Sequence, residues 1–172
     1  MSSSTPAWVL ILIYWLHMLA TVVWIGGLTA SNFILMPLAR ETLPESTYLV
    51  FSERVLKRLQ GIGWIALAIL VGTGLFQMSA HPAYQGFLRI DNAWAMAILL
   101  KHSVIGGVVL VSFWITWGLM PQLRRMNYLL SAGVAVDESS RLRLQRRHAW
   151  LVRLNLGLSV VVLLLTAWAR VS

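Results

Sequence analysis

Residues 16–27 read LHMLATVVWIGG and lie inside an apolar run, 7–36, interrupted only by small polar residues and one histidine. At about 1.5 Å of rise per residue, a run of this length crosses a hydrocarbon layer of roughly 30 Å as a tilted helix. Moving three or four residues at a time from His17 keeps to one helical face and reaches Thr21, Trp24 and Gly27. An ionisable group inside a span is costly, so His17 marks a functional site by default. The rest of the chain is read for what it brings to that histidine.

The composition agrees with a membrane chain. Hydrophobic residues make up 58% and charged residues only 12% of the 172 positions, against about 25% charged in soluble domains. There is no cysteine, which excludes disulfides, thiolate metal sites and cysteine nucleophiles. The start, MSSSTPAW, has no basic segment ahead of the apolar run, so the first span is expected to be a retained helix rather than a signal peptide. The net charge of +8 does not point to nucleic acid. Its basic residues border the apolar spans, where anionic lipid head groups meet them.

Four spans follow, at about 7–36, 61–80, 93–120 and 150–169, with Pro37 and Pro121 closing the first and third. Each is near or above the ~20 residues a helix needs to span. None alternates like a strand, and backbone polar groups in lipid must be satisfied internally, so the expected fold is an all-α integral membrane four-helix bundle in one domain. The first loop carries Arg40, Arg54, Lys57 and Arg58, and the third carries Arg124, Arg125, Arg141, Arg143, Arg146 and Arg147. The opposite side has only Arg89 and Arg170. The positive-inside rule then puts both termini on the outer side of the cell inner (plasma) membrane. In the third loop, Asp137-Glu138-Ser139-Ser140 reads as a helix start. Small residues recur through the spans (Gly26-Gly27, Gly72, Gly74, Gly106-Gly107, Gly157) and permit close helix approach.

Depth selects the chemistry. His17 lies about 15 Å along the first helix, and Lys101 and His102 roughly 12–14 Å along the third, counted from the same side. All three therefore fall at one level, on helices expected to be neighbours. None of the acids Glu41, Glu45, Glu53, Asp91, Asp137 and Glu138 is inside a span. Lys101 must snorkel outward, sit uncharged, or face an anion from outside the chain, such as a haem propionate. A neutral imidazole at this depth either hydrogen-bonds to a neighbouring helix, with Thr73, Gln77, Asn155 and Ser159 as available partners, or ligates a metal. For ligation, haem b held by His17 and His102, with Lys101 near a propionate, is the first expectation. Copper bound by His17 and His102 with Met78 and His81 is the second, because thioether and imidazole suit copper. His148 and Arg153 are read as interfacial. No paired carboxylates, Gly-rich phosphate loop or Ser-His-Asp order supports hydrolysis or nucleotide chemistry.

LHMLATVVWIGGL in the first span, Thr73-Gly74-Leu75 in the second, Lys101 in ILLKHSV and the final RRHAWLVRLNLGLSVVVLLL resemble the copper resistance protein D (CopD-like) superfamily. That resemblance implies a four-helix membrane unit concerned with copper uptake or homeostasis. His17 and Lys101 also resemble the first-helix histidine and third-helix lysine of the haem-dependent membrane protoporphyrinogen oxidases called HemJ. His102 belongs to neither pattern. The expected function is binding or handling of copper or haem at a His17/Lys101/His102 site, in metal homeostasis or a redox assembly. The alternatives are a HemJ-like oxidase and a non-catalytic small subunit of a larger membrane complex.

Overall fold

Long stretches with hydrophobic side chains on every face can only be helices in lipid, and the described apolar stretches are helical. The structure is a computed structural model and describes residues 6–80 and 93–171. Its helices are α1 (Ala7–Ala30), α2 (Met36–Thr42), α3 (Glu45–Ser79), α4 (Ala93–Phe113), α5 (Met120–Ser131) and α6 (Glu138–Val171). π-helical turns at Ser31–Leu35 and Trp114–Leu119 join α1 to α2 and α4 to α5. The result is four rods, each long and apolar enough to cross a membrane.

The helices do not stop at the two prolines. A proline lacks an N–H and its ring crowds the carbonyl four residues back. Both prolines follow a widened turn that absorbs this misfit. The Met36 N–H reaches back five residues to Ser31, and the Met120 N–H to Ile115. At the other side of the bundle, α3 has 35 residues and α6 has 34, so each is about 50 Å long and outruns a ~30 Å hydrocarbon core. Their surplus carries Arg54, Lys57 and Arg58 on α3 and Arg141 to Arg147 on α6. Glycine at position 133, with φ +74°, turns the chain between α5 and α6. The helix start expected at 137–140 is present: Asp137 accepts the N–H groups of Ser139 and Ser140. Its carboxyl is held down at about 2, first by the Ser140 and then by the Ser139 hydroxyl.

Consecutive helices form the main packing pairs, α1 with α3 and α4 with α6. Short loops favour this arrangement. Large apolar side chains such as Ile11, Val22, Leu110 and Leu164 face outward, towards lipid. Lipid removes most of the hydrophobic drive between helices, so association rests on packing and on interhelical hydrogen bonds averaging about 0.6 kcal/mol each. Ala20, Trp24, Ala66, Leu67 and Val108 form one apolar layer across the middle. Two tryptophans tie the pairs together: Trp24 donates to Ser159 Oγ at 3.0 Å and Trp64 to Thr116 Oγ1 at 3.1 Å.

Candidate functional site

Three buried hydroxyls of the bundle share one pattern. Thr73, Ser112 and Ser159 each donate their hydroxyl proton to a carbonyl one turn back on their own helix, at 2.6, 2.7 and 2.8 Å. Each hydroxyl oxygen then accepts from a neighbouring helix. Ser159 takes the Trp24 indole and Ser112 takes the Asn155 amide, at 2.9 Å. Thr73 faces His17 Nδ1 at 2.7 Å.

Thr73 Oγ1 lies 2.6 Å from the Ile69 carbonyl and 2.7 Å from Nδ1, so with its one proton on that carbonyl it accepts from an imidazole protonated at Nδ1. Nε2 is then the nitrogen with the lone pair, the form in which histidine binds metals. The ring packs over Gly74, where an added Cβ would sit at an ordinary 3.6 Å from His17 Cε1. Thr21 closes the turn by donating to the His17 carbonyl. Of the partners expected for a buried imidazole, Thr73 serves His17, whereas Asn155 and Ser159 serve Ser112 and Trp24.

Two basic residues lie on the helices packed beside this pair: Lys101 on α4, buried at 9% exposure, and Arg170 in the last turn of α6. One turn beyond Thr73, the buried Nε2 of Gln77 is a donor without a protein partner. The described acids all lie at the far end of the molecule, in 41–53 and 137–138. The locality therefore combines an imidazole with basic and amide donors and no carboxylate among the described residues.

The other expected ligands are placed differently. His102 Nδ1 lies 2.7 Å from the Ile98 carbonyl on its own helix. Met78 is buried on α3. His81 lies outside the described residues. Among the described residues, no three His, Cys, Asp or Glu side chains gather as a metal-holding group.

A second feature escaped the sequence reading. A cavity of about 550 Å³ lies between the two helix pairs on the side of the basic loops. Its walls carry Asn155, Ser112, Arg124, Arg153 and His148. Two copies of the tripeptide Leu-Met-Pro, at 35–37 and 119–121, mark it in the sequence, since each follows a π turn and Met36, Pro37 and Met120 line the space.

The model of the family described as copper resistance protein D matches residues 53–169. The matched stretch takes in Thr73, Lys101 and Asn155 and begins after the helix that carries His17. No curated protein and no solved structure matches the chain.

Proposed function

Since this multi-pass membrane chain belongs to the copper resistance protein D family, we propose that it handles copper as cargo, with His17 Nε2 as the donor that meets the metal. The observation that carries this reading is the 2.7 Å contact of His17 Nδ1 with Thr73 Oγ1 inside the bundle, which leaves Nε2 as the nitrogen for a metal. His102 is proposed as the second nitrogen and Met78 as the thioether. Lys101 and Arg170 repel a bare cation, so the cargo arrives with anionic ligands of its own. The same two basic residues, together with the Gln77 amide, favour a second reading: a haem that His17 would hold, with Lys101 available to its propionates. A HemJ-like oxidase would be one use of such a haem. The basic loops are proposed to face the cytoplasm against anionic lipid, in the plasma (inner) membrane.

The test is copper accumulation and copper tolerance in cells expressing the wild type or His17→Ala, with an absorption spectrum of the purified protein. Copper readouts that depend on His17, without a Soret band, support copper handling. A Soret band lost in His17→Ala supports haem. Readouts indifferent to His17 overturn both.

A further inference from the structure

The cavity between the helix pairs belongs to no part of the His17 site. We infer that it is a water-filled vestibule, open at the end of the molecule carrying the basic loops and closed from His17 by the single apolar layer around Trp24.

Buried polar atoms need partners, and two on the wall of this cavity have none among the described residues. Asn155 is only 2% exposed, lines the cavity, donates to Ser112, and leaves its Oδ1 unpartnered. Arg124 lines the same space with a buried, unpartnered Nε. One group needs a donor and the other an acceptor, and water supplies both. Arg40, Arg153, Glu41 and Glu53 also border the cavity, and charged side chains in membrane proteins face water-filled spaces rather than lipid. A volume of about 550 Å³ holds on the order of ten or more waters.

The seal is equally specific. The cavity reaches Trp24, Gly63, Trp64 and Ser112 at its deep end. Trp24 is 9% exposed, is tied to Ser159, and covers Gly63 so closely that a Cβ there would meet its ring at 3.3 Å. His17 is two helical turns away on the other side, about 10 Å along α1. Hydration of the vestibule stands whatever His17 binds. Its use as a route to or from His17 rests on the proposed metal handling.

The native chain has no cysteine, so a single introduced thiol reports on one place. Gly26 and Gly27 are adjacent, and a Cβ at either meets nothing within 4 Å, but only Gly27 lines the cavity. Sealed vesicles carrying Gly26→Cys or Gly27→Cys are treated with a membrane-impermeant maleimide, and Ala135→Cys in the exposed loop identifies which side is reached. Gly27→Cys should react at least tenfold faster than Gly26→Cys, and only from the side that labels Ala135→Cys. Equal rates, as in a lipid-filled or collapsed space, or reaction from the opposite side, would overturn the vestibule. Ser159→Cys should be protected in the parent and become reactive from the loop side when Trp24→Ala is added. Reaction in the parent, or continued protection in folded Trp24→Ala, would overturn the seal. If Trp24→Ala does not fold, the glycine pair and the parent Ser159→Cys still decide the question. None of these readouts uses a metal, so they fail or succeed apart from the copper reading.

Discussion

In the proposed site, Thr73 selects the nitrogen of His17 that meets the metal through one hydrogen bond. Thr73→Ala removes the acceptor that holds Nδ1–H, so metal affinity should fall roughly 10–100-fold, as for other groups that orient a ligand. Thr73→Ser keeps the hydroxyl and should restore it; titration of each variant with cuprous ion measures the difference. Next to it, Gly74→Ala adds a Cβ at an ordinary 3.6 Å contact with the ring and should be tolerated. Gly74→Val should displace the imidazole and imitate Thr73→Ala. Outside the membrane, Asp137 gives a pH test. Its folded pKa is depressed to about 2 by Ser140 and Ser139, so its support of α6 is present above the unfolded carboxylate value near 4. That support is lost as pH falls through about 2. Amide exchange over 139–141 should speed up in that window, and Asp137→Ala should show the faster exchange already at neutral pH. His17 and its partner Thr73 were legible in the sequence because depth along a span is arithmetic and few polar groups lie at that depth. The unpartnered Asn155 Oδ1 was not, since it depends on which way a neighbouring serine spends its proton.

The four spans were legible from apolar length alone, but their inner ends were not. Treating Pro37 and Pro121 as stops follows from proline's missing N–H, and the chain answers with π turns that let each helix continue. The signal was present as the repeated Leu-Met-Pro, which means little until the widened turns are seen. Pro121→Ala removes the reason for the wide turn. The segment Trp114–Leu119 should then tighten towards α-helical spacing, with greater amide protection there and a turned Met120 and Arg124. Unchanged protection would mean that packing, not proline, holds the turn open.

Across the whole molecule, the sequence indicated one bundle but not how it divides. Helices one and three of the sequence reading were expected to be neighbours. The main packing instead joins consecutive helices, α1 to α3 and α4 to α6. Loop lengths carry that pairing only weakly, and the cavity is a consequence of it. At the loop end, Arg141 reaches Glu45 at 2.9 Å and joins the two pairs. Glu45 is largely exposed, so Glu45→Ala should cost no more than about 1 kcal/mol, less at high salt. Thermal unfolding in detergent at low and high salt checks this. The central claim concerns the metal donor, and X-ray absorption on purified, copper-loaded protein addresses it directly. The account predicts an imidazole nitrogen shell at the copper that disappears in His17→Ala and weakens in Thr73→Ala. The same shell in wild type and His17→Ala alike would contradict it.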